Sequence, residues 1–265
     1  MRSRDRGHSQ PDPPDDLTLR RERGTRWLPE PPVTTLEGAG AFVAEQGLAL
    51  LFPAERTVAP SLWEAVAGED AEPFATGMGE AESRVWAWKD ELPRDGFAWS
   101  GKFLYRRASL LSPELLDLLY PGRGRPDDHR TLELSREAHE LADALAGGPL
   151  PTSALRQLVG DRSRYERAIG ELHRCLLVGS AGTVEQRAGW PAVLMDLSCR
   201  LFDVGSGAQP TQAAQCYLQT ALATTPRELA RAFGWTAATA RRHLDELVST
   251  GTAIAAGPTY LFRRS

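Results

Sequence analysis

One segment near the end of the chain carries polar and basic side chains at a spacing that would place them on the outer face of a helix. They are Thr236, Thr239, Arg241, Arg242 and His243. Leu244 and Leu247 would point into the core of a small module. Because arginine donates to phosphate oxygens and to the acceptor edge of guanine, the pattern predicts a helix that contacts double-stranded DNA in the major groove. A solvated helix face, on a module that contacts only protein, is the alternative.

An earlier segment contains a second cluster of the same kind. Its members are Arg162, Ser163, Arg164, Tyr165 and Arg167. They would begin a helix at the same structural place, so both clusters are candidate DNA-binding surfaces. Arg263 follows the last predicted strand and could reach a phosphate from beside the final hairpin, although a terminal arginine is more often simply solvated.

A group of aromatic residues with adjacent charges forms a third candidate site. Its members are Trp63, Trp86, Trp88 and Lys89. If the segment around residue 87 is a strand, the alternating tryptophans share one face and could stack a flipped base. Packing in a small core is the commoner role of such tryptophans. If the protein is catalytic, Asp90 and Glu91 beside this group are the weak candidates for the reacting carboxylates.

Other familiar chemistry is missing from the sequence. Cys175, Cys199 and Cys216 are widely spaced without a CxxC pair, and the five histidines show no metal-binding spacing. The chain contains no Walker loop, no GxGxxG and no GxSxG motif. We therefore expect neither a metal nor a cofactor.

The elements that would position the basic clusters repeat along the second half of the chain. Residues 131–200 and 210–264 each predict a helix, a short helix, a longer helix and a hairpin, which is the plan of a winged helix. Residues 34–121 predict a small α/β domain, with helices at its two ends and strands near residues 48–52 and 99–106. The fold class is accordingly α+β and helix-rich. Residues 1–33 are polar and rich in arginine and proline, which predicts a disordered tail that is dispensable for folding.

Composition limits where nucleic acid could bind and where the protein could reside. The chain has 31 basic and 35 acidic residues, a net charge of −4, so DNA contact must come from local patches. The sequence lacks the roughly 18 consecutive apolar residues of a membrane span, and its N-terminus lacks the apolar run of a signal peptide. We expect a cytoplasmic protein without a membrane partner, and its arginine-rich composition suggests a high-GC bacterial genome.

Three segments give the sequence a family resemblance. Residues 60–65 (PSLWEA), 86–93 (WAWKDELP) and 101–103 (GKF) resemble the AlkZ-related proteins, relatives of bacterial crosslink-repair DNA glycosylases. The resemblance covers roughly residues 35–263 and implies tandem winged helices and DNA binding. The glycosylases remove alkylated bases without a metal, using a short motif of glutamine, an apolar residue and glutamine or aspartate. That motif is not found in residues 35–263, which the resemblance covers: Gly47 and Leu48 follow Gln46, and Arg187 and Ala188 follow Gln186.

Three functions are compatible with these patterns. The preferred one is a DNA-binding protein of repair descent that lacks robust glycosylase activity. The second is a winged-helix transcription regulator, for which a homodimer is compatible with the sequence. The third is an active monofunctional glycosylase on alkylated or crosslinked bases that uses non-standard residues. Two DNA-contacting helices in one chain make a dimer less necessary, which favours the first function.

Overall fold

The computed structural model describes residues 16–68, 72–75, 77–185 and 191–263. After a first helix, α1 (Asp16–Trp27), one order of elements occurs three times in these ranges: helix, strand, helix, helix, strand, strand. Each copy forms a three-stranded antiparallel sheet with its last strand in the centre. The helix-rich α+β class is thereby confirmed. No helix in the described ranges has both the length and the apolar character to cross a lipid bilayer.

The first copy begins close to the predicted start of the folded chain. Its elements are α2 (Leu36–Gln46), β1 (Leu48–Leu50), α3 (Leu62–Ala67), α4 (Glu80–Arg94), β2 (Trp99–Lys102) and β3 (Ala108–Leu111). The Thr35 hydroxyl accepts a hydrogen bond from the Gly38 N–H and caps α2. Gly47, at φ +73°, ends this helix in a conformation that a side chain would disfavour.

The tryptophan-rich segment is helical, so the prediction of a strand there is wrong. Val85, Trp88 and Leu92 follow helical spacing and are buried along one side of α4. Residues two apart in the sequence lie about 200° apart around a helix. Trp86 and Trp88 therefore face different sides, and only Trp88 lies in the core.

Two further copies follow the connecting helix α5 (Pro113–Leu119). The second consists of α6 (Arg136–Ala146), β4 (Leu150–Pro151), α7 (Thr152–Val159), α8 (Arg162–Arg174), β5 (Val178–Val184) and β6 (Ala192–Leu197), followed by α9 (Ser198–Leu201). The third consists of α10 (Pro210–Ala221), β7 (Ala223–Thr224), α11 (Pro226–Phe233), α12 (Ala237–Ser249), β8 (Ala253–Ala256) and β9 (Thr259–Phe262). The predicted helices and hairpins of both regions are present, whereas the two-residue strands β4 and β7 were not predicted. The module boundaries at 34–121, 131–200 and 210–264 stay predictions, and residue 264 lies outside the described residues.

One hydrophobic core runs through all three copies. It includes Leu111 of the first copy, Leu172 of the second and Leu244 of the third. A second, smaller core lies within the first copy around Val85 and Trp88. Because burial of apolar surface across the copies stabilises their arrangement, the faces that they expose are held in a fixed relation.

Trp99 lies where the first and second copies meet. Its side chain is fully buried, and Nε1 donates to Ser198 Oγ at 3.0 Å. Gly101 and Gly179 leave room for the indole. A Cβ added at Gly101 would lie 2.4 Å from a ring carbon of Trp99, and one at Gly179 would lie 2.7 Å from Nε1. Both distances are shorter than van der Waals contact, so this junction requires glycine at both positions.

The side chain of His173 is buried against the same indole. The ring centroids of His173 and Trp99 are 6.0 Å apart, and the ring planes meet at 88°. Neither ring nitrogen of His173 has a hydrogen-bond partner among the described residues. Loss of solvation, with a smaller contribution from Lys102, lowers the pKa of His173 to about 4. The ring is therefore neutral at pH 7.

Helix α1 docks on the third copy, so the prediction of a disordered tail is wrong from residue 16 onward. Arg23 Nε donates to the Ala221 carbonyl at 2.8 Å, and Trp27 Nε1 donates to the Thr220 carbonyl at 3.0 Å. The Arg26 guanidinium donates to a third carbonyl of the same turn. The last carbonyl groups of a helix have no partner within it, and α1 supplies donors for those of α10. Residues 1–15 lie outside the described residues.

Removal of α1 should destabilise the protein, which reverses the expectation that this segment is dispensable. A chain that begins at residue 28 loses several hydrogen bonds to the end of α10, each worth about 1 kcal/mol. We expect its free energy of unfolding in urea to be about 2–3 kcal/mol lower than that of a chain that begins at residue 16. Equal unfolding midpoints for the two chains would contradict this role of α1.

Candidate nucleic-acid interface

The start of α12 carries two exposed arginines. The Thr236 hydroxyl caps the helix, since it accepts from the Thr239 N–H at 3.0 Å. Arg241 and Arg242 are exposed, and no carboxylate in the described ranges lies within 4.0 Å of either guanidinium group. The predicted surface is therefore present for Thr236 and the arginines, whereas Thr239 is half-buried.

His243 was predicted on this surface, and the structure places it inside. The side chain is buried, its Nδ1 lies 2.8 Å from Thr211 Oγ1, and its ring packs on Trp235 at a centroid distance of 5.3 Å. Position 243 is one helical turn before Leu247, which is buried on the core side. His243 therefore positions α12 against α10 and is not available to a ligand.

Helix α8 presents a second basic surface. The Asp161 side chain caps it by accepting from the Arg164 N–H at 2.8 Å. The exposed polar residues of its first two turns are Arg162, Ser163, Arg164 and Arg167. Arg164 lies 3.8 Å from Glu137 in a largely exposed ion pair, which contributes little to stability.

Tyr165 was also predicted on the α8 surface and is instead part of the core. Only 3% of its surface is exposed, and the Arg156 guanidinium covers its ring at 5.3 Å. Tyr165 precedes Ala168 and Ile169 by three and four positions, so the three side chains share the buried face of the helix. The α8 surface is therefore made of arginine and serine.

Arg263 is exposed directly after β9. Its N–H donates to the Thr252 carbonyl at 3.0 Å, which fixes the backbone. The side chain lines a cavity together with Gln215 and Gln219 of α10. The structure therefore brings Arg263 to α10 and does not group it with Arg241 and Arg242.

The four residues of the proposed base-stacking group separate into two pairs. Trp63 and Trp88 are 3% and 6% exposed and belong to the core of the first copy. Trp86 is 49% exposed, and Lys89 Nζ lies 5.0 Å from the centroid of its ring. Trp86 and Lys89 line a cavity of about 530 Å³ between α4 and the β5–β6 hairpin. Only this second pair can contact a ligand.

Asp90, the first candidate carboxylate, is buried with its oxygens engaged. Oδ1 accepts from Ser180 Oγ at 2.9 Å, and Oδ2 pairs with Lys89 Nζ. Glu91 is half-buried and lines the cavity near Trp86. A base must reach the proton that it abstracts, and fixed donors already occupy Asp90. Glu91 is therefore the better placed of the two acids.

A further group of arginines was not singled out from the sequence. Arg106 lies in the turn between β2 and β3, and Arg227 and Arg231 lie on α11. The three line one cavity near the start of α12. The only signal in the sequence for this group was the pair Arg106 and Arg107 between two strand segments. The sequence near this pair does not indicate that α11 packs beside it. Within the described residues, no three histidine, cysteine or acidic side chains are grouped as metal ligands.

Comparisons with known proteins agree with this architecture. The family described as AlkZ related matches residues 33–232. Among solved structures, the Streptomyces sahachiroi DNA glycosylase AlkZ superposes with a TM-score of 0.53 at 17% sequence identity. The match covers 91% of this chain and 67% of that chain, and at this identity it shows a shared fold. No curated protein matches the sequence.

The two tryptophans of α4 should respond differently to truncation. Trp88→Ala removes a buried indole and should lower the free energy of unfolding by about 3–5 kcal/mol. Trp86→Ala removes a half-exposed ring and should change that free energy by less than about 1 kcal/mol. Urea unfolding of the two variants provides the comparison. A loss at Trp86 as large as that at Trp88 would contradict its position at an open cavity.

Proposed function

The chain belongs to the AlkZ-related family, and on that premise we propose that it holds double-stranded DNA in a role of DNA-repair descent. The contacts come from two winged helices, residues 131–200 and 210–264. The observation that carries the proposal is that α8 and α12 occupy the same place in successive copies and both expose arginines. Both helices belong to one chain, so a second copy is not needed for two contacts.

The topology supports the assignment of winged helices. In each of these regions the third helix precedes a two-stranded hairpin, and a short strand after the first helix completes the sheet. In DNA-binding proteins of this class, the third helix enters the major groove. The first copy, within the predicted domain 34–121, has the same order and extends the series.

The distribution of charge supports DNA as the ligand. The chain as a whole carries a net charge of −4, yet the exposed faces of α8 and α12 present guanidinium groups. A protein with this net charge should not bind nucleic acid indiscriminately. Its local arginine patches can still contact phosphates, and that contact should weaken with salt.

The same proposal holds that the protein does not excise bases efficiently. Excision requires a water molecule activated by fixed acceptors, and residues 35–263 do not contain the glutamine motif of the resembling glycosylases. Asp90 is occupied by Ser180 and Lys89. An active glycosylase is the alternative that one observation favours, because Glu91 and the half-exposed Trp86 line the same cavity.

Duplex binding should depend on the arginines of both helices. Replacing Arg241 and Arg242 together by alanine should weaken binding at least tenfold, about 1.4 kcal/mol, because phosphate contacts are lost. Fluorescence anisotropy with a labelled duplex, repeated at several salt concentrations, measures this effect. The pair Arg162→Ala and Arg164→Ala tests α8 in the same way.

The matched control removes two exposed arginines from the connection between the first two copies. Arg123 and Arg125 are exposed there, and their double alanine variant changes the net charge by the same amount. Its affinity should stay within about twofold of that of the unchanged protein. Equal losses for control and α12 variants would show general attraction by net charge, and an unchanged affinity of the α12 variant would exclude that helix.

Base release should be absent while binding is retained. The purified protein is incubated with duplexes that contain 7-methylguanine or a nitrogen-mustard crosslink, and abasic sites are measured. Binding to undamaged duplexes of the same sequence is measured in parallel, so a preference for damage is detected independently of excision. Multiple-turnover release that is lost in Glu91→Gln or Asp90→Asn would overturn the proposal and make the protein a glycosylase.

A further inference from the structure

The turn between β2 and β3 is held in an unfavourable backbone conformation. Tyr105 and Arg106 are consecutive residues with φ +52° and +61°. The left-handed region costs a residue with a side chain about 1–2 kcal/mol. Ser109 Oγ accepts from the N–H groups of Phe103 and Leu104 at 3.3 and 3.1 Å, which stabilises the turn. Backbone strain that the surrounding structure maintains in this way is commonest at functional sites.

The strained turn is fixed to the third copy. The Tyr105 hydroxyl shares a hydrogen bond of 2.7 Å with the hydroxyl of Tyr217 on α10, and it accepts from the Val58 N–H at 3.1 Å. Phe103, at the start of the turn, packs on Phe233 of α11 with ring centroids 5.9 Å apart. The side chain of Arg106 is therefore held beside α11 and the start of α12.

Three arginines meet at this place. Arg106, Arg227 and Arg231 are exposed and line a cavity of about 460 Å³, together with Trp235 and Ala237. Within the described ranges, no carboxylate lies within 4.0 Å of any of these three guanidinium groups.

Arg231 is oriented in advance. Its Nη2 donates to the Arg56 carbonyl at 2.9 Å, and its guanidinium lies 5.7 Å from the Tyr105 ring centroid.

The positive charges of the three arginines around this cavity repel each other, so a bound anion would relieve the repulsion.

The chemistry of this cavity selects a phosphate group. Guanidinium groups donate in a planar fork that matches phosphate oxygens. Ala237 opens α12, a helix of 13 residues, and the first N–H groups of a helix attract negative charge. Arginines from the first and third copies thus converge on the start of α12, the helix proposed to enter the major groove.

We infer that this cavity binds a phosphate group, and that in the complex with DNA the group belongs to the duplex backbone. The inference rests on the proposed function for the source of the phosphate. The first copy then contributes Arg106 to a surface that is otherwise formed by the third. Backbone contact fixes the position of a protein on DNA without reading sequence, so the effect is the same for every duplex sequence.

The test removes Arg106 and Arg227 together and leaves Arg231, which supports the backbone at Arg56. The variant Arg106→Ala with Arg227→Ala should weaken duplex binding at least fivefold. It should also reduce the slope of log affinity against log salt by about 1, because the two arginines share one phosphate group. The variant Arg106→Lys with Arg227→Lys keeps the charge and should therefore keep the salt slope, but it should lose part of the affinity because an ammonium group lacks the planar fork. The Arg123→Ala and Arg125→Ala chain is the control for net charge, and thermal midpoints confirm folding.

The outcomes separate this inference from the proposed function. If the unchanged protein binds duplex through Arg241 and Arg242 while the Arg106 and Arg227 variant equals the control, the inference is overturned and the proposed function stands. If the unchanged protein does not bind duplex, the proposed function fails. Inorganic phosphate and pyrophosphate then decide the inference: a rise in thermal midpoint that the double variant lacks supports a site for free phosphate, and no rise overturns it.

Discussion

The structure depends on the space that two glycines leave for one indole. Trp99 lies on β2, an edge strand of the first copy, and packs against the second copy. Gly101 and Gly179 are the positions where any side chain would occupy the volume of its ring. The hydrogen bond from Trp99 to Ser198 then fixes the orientation of the indole. With this junction closed, the apolar residues of three similar copies form one continuous core. A binding surface assembled from several copies requires such a fixed arrangement.

The same arrangement gives the three equivalent helices different roles. In the first copy, α4 packs against the hairpin of the second. Ser180 of this hairpin donates a hydrogen bond to Asp90, and Gly182 lies beside Arg94. Its outer face therefore forms the wall of a cavity. Helices α8 and α12 keep exposed arginines on their outer faces. The position of each helix in the assembly thus distinguishes the wall of a cavity from two exposed faces that carry arginines.

Local sequence predicted the parts of the fold that depend on local signals. Caps such as Thr236 and glycine stops such as Gly234 marked the helices of the second half, and their hairpins followed. The alternation of Trp86 and Trp88 suggested a strand, although the spacing of Val85, Trp88 and Leu92 is that of a helix. Helix α1 was not predicted, because its sequence is polar and sequence patterns detect helices mainly by apolar burial. The helix is held instead by side chains that donate hydrogen bonds to carbonyl groups of α10.

The sequence predicted the candidate site where the spacing of residues along a helix decides which side chains are exposed. Arg241, Arg242 and the α8 arginines lie on exposed faces, as predicted, whereas Tyr165 and His243, which were assigned to the same surfaces, are buried. The convergence of Arg106 with Arg227 is a tertiary property, since more than a hundred positions separate them. It depends on the contact between Tyr105 and Tyr217, which no local pattern records.

The buried imidazole at the first junction makes the assembly sensitive to acid. In the unfolded chain His173 takes up a proton near its ordinary pKa of 6.5, whereas in the folded protein its pKa is about 4. Between these values the unfolded state binds more protons, so the free energy of unfolding decreases as the pH falls through this window. Because the ring packs on Trp99, a proton on His173 would place an unsolvated charge at the contact between the first and second copies. Mild acid should therefore loosen this contact and the fixed relation between the exposed faces of the copies.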